Sequence, residues 1–259
     1  MPDEMMRGSC LCGAVAFEVT QPLRDVVACH CAQCRKQSGH YWAATSAPHA
    51  QFRLTREEGL VWYRASPAAR RGHCGRCGAM LFWQREGEAR ISFSPGALEG
   101  ITGLHIARHI LAEEGGDYYP ESTAEHPPPG DRLRGSCLCG GCAFNLPAPA
   151  GGIIACHCTQ CRRLSGHFSA SFDLDEAELV WERRDTLAEY GTPACGMRGF
   201  CSACGASLWF RATGGAFSVE AGAIDGATGG KLVRHIFTAN KGDYYDLEDG
   251  LPQFLAAEP

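Results

Sequence analysis

The chain has 259 residues, of which 45% are apolar and 20% are charged, and its net charge is −5. No apolar run reaches the roughly 20 residues that a membrane helix needs, and no lysine and arginine cluster is present to attract phosphates, so we expect neither membrane nor nucleic-acid binding. The amino-terminal residues contain no apolar stretch of the signal-peptide kind, which predicts a cytoplasmic protein whose 16 cysteines are reduced.

The first feature along the chain is a cysteine motif that returns later. Residues 7–13 read RGSCLCG, and residues 134–140 read the same seven letters, 127 positions further on. The segment 29–34, CHCAQC, and the segment 74–77, CGRC, are followed at the same spacing by CHCTQC and CSAC. A repeat of this length is a domain rather than one unit of a solenoid. The sequence therefore predicts two tandem copies of one domain.

A polar, proline-rich stretch joins the two copies. Residues 121–130 include three consecutive prolines, which can continue neither a helix nor a central strand. Each flanking segment is long enough to form its own core. We therefore predict a first domain at residues 1–120, a linker at 121–130 and a second domain at 131–259.

The local patterns predict strands and few helices. Residues 14–19, AVAFEV, have the character of a strand, and residues 51–55 and 217–221 alternate apolar and polar side chains. Short helices are expected at three places: directly after Cys34, directly after Cys161 and near residues 101–108. The predicted fold class is all-β.

The cysteines divide into two kinds of metal site. Fourteen of the 16 recur in both copies, seven in each copy, whereas Cys142 and Cys195 have no counterpart. Zinc takes four ligands, so each copy most simply holds one complete site and one site with three thiolates. The four-cysteine sets are Cys10, Cys12, Cys74 and Cys77 in the first copy, and Cys137, Cys139, Cys201 and Cys204 in the second. The alternative is that these residues are reduced core cysteines.

Each four-cysteine set is predicted to form a closed structural site. Cys10 and Cys12 point the same way if the chain is extended there, and Gly78 permits the tight turn of a knuckle behind Cys77. A structural zinc contributes on the order of 10 to 16 kcal/mol, which is comparable with the net stability of a small domain. Strong chelation should therefore unfold either half.

The remaining cysteines form a three-cysteine set in each copy. These sets are Cys29, Cys31 and Cys34, and Cys156, Cys158 and Cys161. His30, His40 or His109 would close the first site, whereas water or an external thiol in the fourth position would leave it reactive. His30 is disfavoured because an extended chain turns its ring away from the flanking sulfurs. We expect open sites, and hence about four zinc ions per chain, two structural and two with a free position.

Basic and imidazole side chains follow the third cysteine of each three-cysteine set. A zinc ion with three thiolates has a net charge of −1, so binding a further thiolate requires a cation nearby. The candidate cofactor-binding residues are Arg35, Lys36, Arg162 and Arg163, and the candidate catalytic residues are His40 and His167. The alternatives are solvated basic residues at the start of a helix, and histidines whose hydrogen bonds are purely structural.

The three cysteine motifs, in this order, resemble those of the glutathione-dependent formaldehyde-activating enzyme family, also called the centromere protein V family. The resemblance covers both copies and extends to the closing segment 235–254. It implies all-β, Mss4-like domains with a structural zinc on the four-cysteine set and a catalytic zinc on the three-cysteine set. It also implies a carbon-sulfur lyase that adds formaldehyde reversibly to the thiol of glutathione, giving S-hydroxymethylglutathione.

The sequence leaves three classes of function open. The first is the lyase, in which a thiolate held at the open zinc position attacks an aldehyde. The second is a carrier of thiol adducts without turnover, because zinc with so many sulfur ligands is a weak Lewis acid. The third, a structural module, would need basic or disordered extensions that the sequence does not show.

The two copies are not equivalent in sequence. The first copy has the linker where the second has the ending DGLPQF, at residues 249–254, so the first site is expected to be altered in specificity or idle. The expected partners are a small thiol and an aldehyde. A monomer is expected, because the two joined copies can act as a pseudo-dimer.

Overall fold

The computed structural model of the protein describes residues 5–192 and 195–257. Its first half, residues 5–120, and its second half, residues 131–257, contain equivalent strands in the same order. The strands of the first half are β1 (Met5–Ser9), β2 (Ala16–Thr20), β3 (Arg24–Cys29), β4 (Trp42–Pro48), β5 (Phe52–Arg56), β6 (Leu60–Ser66), β7 (Ala69–Cys74), β8 (Met80–Arg85), β9 (Arg90–Phe93) and β10 (Ile106–Ile110). Those of the second half are β11 (Arg132–Ser136), β12 (Cys142–Pro147), β13 (Gly152–Cys156), β14 (Ser169–Leu174), β15 (Val180–Arg184), β16 (Leu187–Thr192), β17 (Gly196–Cys201), β18 (Ser207–Ala212), β19 (Phe217–Glu220) and β20 (Lys231–Ile236).

Each half contains a small sheet and a large sheet. In the first half the order is β1-β2-β5 in the three-stranded sheet and β10-β3-β4-β9-β8-β7-β6 in the seven-stranded sheet, and the second half repeats both. The inner strand β4, between β3 and β9, is buried at residues 42–47, on both of its faces. The predicted all-β fold with two similar halves is confirmed. Every helix in the described part of the chain is too short or too polar to cross a lipid bilayer.

The described residues form two α-helices, α1 (Ala32–Ser38) and α2 (Thr159–Ser165). Cys31 caps the start of α1 through its sulfur, which accepts the backbone N–H of Cys34, and Gly39 caps its end with a φ of 84°. Such a left-handed residue is typical of a helix end, and α2 is capped in the same way. The two helices predicted beside the third cysteines are confirmed, although each begins two residues before that cysteine.

The other local predictions have mixed outcomes. The predicted strands at 14–19, 51–55 and 217–221 are confirmed as β2, β5 and β19, with small shifts of their ends. The helix predicted near 101–108 is wrong, because residues 101–105 form no helix or strand and β10 follows at once. This segment has partners that are distant in sequence: β10 pairs in parallel with β3, and the carboxylate of Asp243 binds nearby backbone N–H groups. These long-range contacts outweigh the local helical tendency.

The two halves contact each other through equivalent residues, as the subunits of a two-fold symmetric dimer do. The N–H of Gly96 donates to the carbonyl of Gly166, and the N–H of Gly222 donates to the carbonyl of Gly39, at 3.1 and 2.8 Å. The largest hydrophobic core also includes residues of both halves, among them Tyr41, Tyr118, Phe144 and Leu208. Each half therefore completes the core of the other.

The repeated GDYY segments connect the halves reciprocally. Asp117 accepts hydrogen bonds from the backbone N–H and the hydroxyl of Thr228 and from the N–H of Gly229, all at 2.8 Å. Asp243 makes the same three contacts with Thr102 and Gly103. The aspartate of each repeat thus fixes a turn of the other half.

Replacing Asp117 by alanine is expected to lower the free energy of unfolding by about 2 to 4 kcal/mol, because bonds to a charged acceptor are lost across the interface. Urea denaturation followed by circular dichroism measures this change. The matched control is Asp173→Ala, which removes an exposed aspartate of β14. Equal unfolding midpoints for the two variants would show that Asp117 does not join the halves energetically.

The predicted linker at 121–130 contains neither helix nor strand along its whole described length. It is nevertheless attached to the first half, since the N–H of Thr123 donates to the carbonyl of Ala112 and the ring of His126 contacts the carbonyl of Gly115. The domain boundaries 1–120 and 131–259 stay a prediction.

Candidate metal centres and the site between the halves

The structure brings the eight cysteines of the four-cysteine sets together as two groups of four. Within each group all sulfurs lie within 4.8 Å of one another. The Sγ atoms of Cys10 and Cys12 are 3.6 Å apart, and those of Cys137 and Cys139 are 3.5 Å apart. Zn–S bonds of about 2.3 Å place tetrahedral sulfurs about 3.8 Å apart, so both groups have the size of a zinc site.

The geometry of the first cysteine pair differs from the expected one. The sequence predicts extended chain at Cys10 and Cys12, but they lie in the turn after β1, where the N–H of Gly13 donates to the carbonyl of Cys10. Gly13 has a φ of 74°, a left-handed conformation that glycine adopts without strain. The turn, and not strand alternation, directs both sulfurs to one point. Cys74 and Cys77 form the predicted knuckle between β7 and β8.

Each three-cysteine set is assembled at the junction of a strand and a helix. Cys29 ends β3, Cys31 caps α1, and Cys34 lies in the first turn of α1. The three sulfurs lie within 4.8 Å of one another, and the set in the second half has the same arrangement. Cys142 and Cys195 belong to none of the four groups.

In the part of the chain that the structure describes, no histidine, aspartate or glutamate joins either three-cysteine set as a fourth donor. The ring of His30 points elsewhere: its Nδ1 lies 3.0 Å from the hydroxyl of Tyr119, and its Nε2 lies 2.8 Å from Nδ1 of His109. His40 is fully buried, and its Nδ1 lies 2.9 Å from the hydroxyl of Tyr118. All three candidate histidines thus have contacts other than the sulfurs.

The cation beside each three-cysteine set is an arginine that the sequence analysis did not single out. Nη2 of Arg71 lies 3.5 Å from Sγ of Cys34, and Nη2 of Arg198 lies 3.5 Å from Sγ of Cys161. Burial lowers the pKa of each guanidinium, but the neighbouring thiolates outweigh this and raise it. A sequence feature that indicates these arginines is the motif Arg-Gly-x-Cys, which occurs at residues 71–74 and again at residues 198–201.

The predicted cofactor-binding residues have other partners. The ammonium group of Lys36 contacts the carboxylate of Asp225 and the hydroxyl of Ser136 in the second half. Arg163 makes the equivalent contacts with the first half, through Ser9 and Glu99. Arg35 donates to a backbone carbonyl, and its counterpart is Arg162. Lys36 and Arg163 therefore hold the halves together, and a role in ligand binding stays a prediction for all four.

The candidate catalytic histidines lie at the interface of the halves. His167 is fully buried, with Nδ1 3.1 Å from the hydroxyl of Tyr244 and Nε2 3.1 Å from the hydroxyl of Tyr41. The ring of Phe168 contacts His40 at the position equivalent to that of Tyr41 beside His167. Because phenylalanine has no hydroxyl group, the buried Nε2 of His40 has no hydrogen-bond partner among the described residues. Burial lowers the pKa of both imidazoles well below the usual value, so both are neutral at neutral pH.

His40 also lines a cavity of about 580 Å³ between the halves. Other lining side chains include His109, Tyr119 and Phe168. In the second half a chain of hydrogen bonds runs from Tyr245 through His157 and His235 to the carboxylate of Asp249. The closing segment supplies Asp249, and the described residues show no matching carboxylate on His109 in the first half.

The surroundings of the two three-cysteine sets differ. In the first half Trp42, Ala44, Met80 and Trp83 pack around the cysteines. The equivalent residues of the second half are Ser169, Ser171, Ser207 and Phe210. Three of the four apolar positions around the first site are thus occupied by serine in the second half, and the fourth keeps an aromatic residue.

A buried carboxyl group accompanies the serines of the second half. Glu220 is 3% exposed and accepts a hydrogen bond of 2.8 Å from the hydroxyl of Ser169. Burial raises its pKa to about 7, although Ser169, Arg198 and Ser207 act in the opposite direction. No spacing rule in the sequence assigns this carboxyl group to the site.

One of three comparisons with known proteins agrees with the repeat. The family model described as "Glutathione-dependent formaldehyde-activating enzyme" matches residues 5–113 and again residues 132–240. The crystal structure of a Rhodobacter sphaeroides protein matches with 30% sequence identity and a TM-score of 0.32, covering 38% of this chain and 92% of that chain. The search of curated proteins gave no match.

Proposed function

Since this chain belongs to the glutathione-dependent formaldehyde-activating enzyme family, we propose that it is a zinc-dependent carbon-sulfur lyase. It would join a small thiol, glutathione or a similar compound, reversibly to an aldehyde such as formaldehyde. The observation that carries this proposal is the pair of three-cysteine sets, each with a guanidinium beside it and no fourth protein donor among the described residues.

The residues present fit zinc. Each half supplies seven cysteine sulfurs to these sites, and the geometry divides the seven into a group of four and a group of three. Thiolate sulfur is a preferred ligand of zinc, and a site with three protein ligands leaves one position for substrate. The four-cysteine sets would hold structural ions, and Cys29, Cys31 and Cys34 with their second-half equivalents would hold the reactive ones.

Zinc bound to a three-cysteine set would supply a position at which a thiol loses its proton and becomes a nucleophile. The chain's own residues prepare that position. The backbone N–H of Cys34 donates to Cys31, and Arg71 offsets the negative charge of the thiolates. The ring of His30 is held by Tyr119 and His109, so it does not take the fourth position itself.

The net reaction forms one carbon-sulfur bond. The sulfur of the thiol bonds to the carbonyl carbon, and the thiol proton ends on the aldehyde oxygen as a hydroxyl group. The reverse reaction returns both to the free thiol and the free aldehyde. No oxidant or reductant is required.

A carrier of thiol adducts without turnover is the second candidate. The observation that favours it is the donor set itself, because three thiolates donate charge to zinc and make it a weak Lewis acid. Thiols also add to formaldehyde readily without a catalyst. We further propose that the protein is cytoplasmic, that its partners are small molecules and that it is a monomer; the reciprocal contacts between the halves support only the monomer.

The decisive experiment compares the rate of S-hydroxymethylglutathione formation with the uncatalysed rate. The residues of each three-cysteine set are changed to serine, one set at a time, and zinc is counted in every protein. If the protein is a lyase, one or both variants lose the enzyme-dependent rate. Each variant should also contain about one zinc ion fewer per chain. The matched control is Cys195→Ser, outside all four groups. Equal rates with and without the unaltered protein would exclude the lyase for this substrate and leave the carrier.

A further inference from the structure

Three arginines lie on the face of the large sheet that carries the first three-cysteine set. They are Arg24 on β3, Arg90 on β9 and Arg108 on β10. None of them belongs to a cysteine motif. Their positions relative to Cys29 follow from the strand register.

An irregularity in β3 places Arg24 on this face. Arg24 pairs with Ser46, and Val27 pairs with Ala44. Between these two pairs β3 has one more residue than β4, which is a β-bulge. Such a bulge changes the direction in which a side chain points, and here it aligns Arg24 with Val27 and Cys29. The guanidinium then turns toward the cysteines, because Nη2 donates to the carbonyl of Ala44 at 2.7 Å. Ala44 is two residues, or about 7 Å, from the strand partner of Cys29.

The other two arginines complete the group. Arg108 is the β10 partner of Val27, which is two residues, or about 7 Å, from Cys29. Arg90 donates through Nη2 to the carbonyl of Ser46 at 2.8 Å, and Ser46 is the strand partner of Arg24. The three side chains therefore lie within reach of a ligand the size of a tripeptide whose sulfur is at Cys29.

These guanidinium groups have little negative charge near them. No carboxylate within residues 5–192 and 195–257 forms an ion pair with any of the three, and Nε of Arg24 has no hydrogen-bond partner. The pKa of Arg24 is lowered, mainly by burial and next by the positive charges of Arg108 and Arg90. Asp25 has a smaller effect in the opposite direction. The carboxylate of Asp25 contacts His105, at 3.2 Å. Like charges held this close favour the binding of an anion.

The second half does not repeat this group. The connection between β18 and β19 is one residue shorter than that between β8 and β9, so the spacing of the copies is 127 before it and 126 after it. Gly151 and Ala216 therefore take the places of Arg24 and Arg90, and only Arg234 remains as the counterpart of Arg108. The buried Glu220 also lies beside the second site. The two halves thus offer different charges to a ligand of the same kind.

We propose that Arg24, Arg90 and Arg108 form an anion subsite that binds the carboxylates of a peptide-like thiol whose sulfur is directed to the three-cysteine set of the first half. The inference rests on the proposed function for the thiol position only. It makes the first half the one that selects carboxylate-bearing thiols such as glutathione. The second half accepts thiols without regard to carboxylates.

The test uses the full-length, zinc-loaded protein and two probes that separate the subsites. S-methylglutathione has both carboxylates but no free thiol, and 2-mercaptoethanol has a thiol but no carboxylate. Arg24→Gln combined with Arg90→Gln is expected to weaken binding of S-methylglutathione about tenfold or more, measured by calorimetry, because charge-assisted bonds are lost. Binding of 2-mercaptoethanol should not change. The matched control is Arg132→Gln, an exposed arginine of β11.

Several results overturn the inference. They are equal losses for both probes, no loss for S-methylglutathione, or the same loss in the Arg132→Gln control. A lower melting temperature of the double variant identifies a folding defect, and in that case the reverse variant, Gly151→Arg with Ala216→Arg, decides. The inference predicts tighter S-methylglutathione binding by that variant, and unchanged binding overturns it.

The same measurements separate this inference from the proposed function. Arginine-dependent binding of S-methylglutathione without any enzyme-dependent rate would refute the lyase and keep the anion subsite. An enzyme-dependent rate with arginine-independent binding would keep the lyase and refute the subsite.

Discussion

Replacing Cys74 by serine is expected to unfold the first half of the protein. Cys74 is fully buried, and its sulfur lies 3.6 Å from that of Cys12 in a group of four that joins the turn after β1 to the knuckle after β7. Loss of a structural zinc removes on the order of 10 to 16 kcal/mol, which is as large as the whole net stability of a typical domain. The remaining core cannot compensate for a loss of that size.

The effect is expected to reach the second half. Tyr190 and Leu164 of the second half pack against the core that surrounds the first four-cysteine set. The ring of His73, beside Cys74, also contacts the carbonyl of Ser202, in the second knuckle, at 3.1 Å. A single unfolding transition for both halves is therefore expected.

Far-ultraviolet circular dichroism and zinc content measure this result together, both for Cys74→Ser and for the unaltered protein treated with a strong chelator. Cys195→Ser serves as the control, since Cys195 lies outside all four sulfur groups. An unchanged spectrum after verified loss of zinc from the four-cysteine set would refute the structural role.

Replacing Arg71 by methionine is expected to weaken zinc binding or activity at the first three-cysteine set by about 10- to 100-fold, the usual effect of losing a group that supports metal ligands. Arg71 is 4% exposed and is the cation nearest to Cys34. Zinc held by three thiolates would have a net charge of −1, and a fourth thiolate, from a substrate, would make it −2. Without the guanidinium, that charge would be buried with less compensation.

The same change at Arg198 tests the second half. Zinc retention against a graded chelator is measured for Arg71→Met and Arg198→Met, together with the KM for the thiol. Arg70→Met is the matched control, because Arg70 is exposed and bonds to Gln84. Arg71→Lys keeps the charge and should recover much of the loss. Identical zinc retention in all four variants would show that these arginines do not support the sites.

The sequence by itself determined the repeat, the β-rich fold and the grouping of the cysteines. These features depend on short segments, in which the spacing of a few residues fixes where the sulfurs go. Cys29, Cys31 and Cys34 converge because one strand end and one helical turn hold all three. The pair Cys10 and Cys12 converges as well, although a turn and not an extended strand brings its sulfurs together.

The tertiary structure alone decided how the halves fit together and what surrounds each site. The bond between His167 and Tyr41, and the contact of Lys36 with Asp225, join residues more than 100 positions apart. A bulge whose position no local pattern indicated turns Arg24 toward the cysteines. Such contacts depend on strand register and on the packing of one half against the other, and neither is encoded in the spacing of nearby residues.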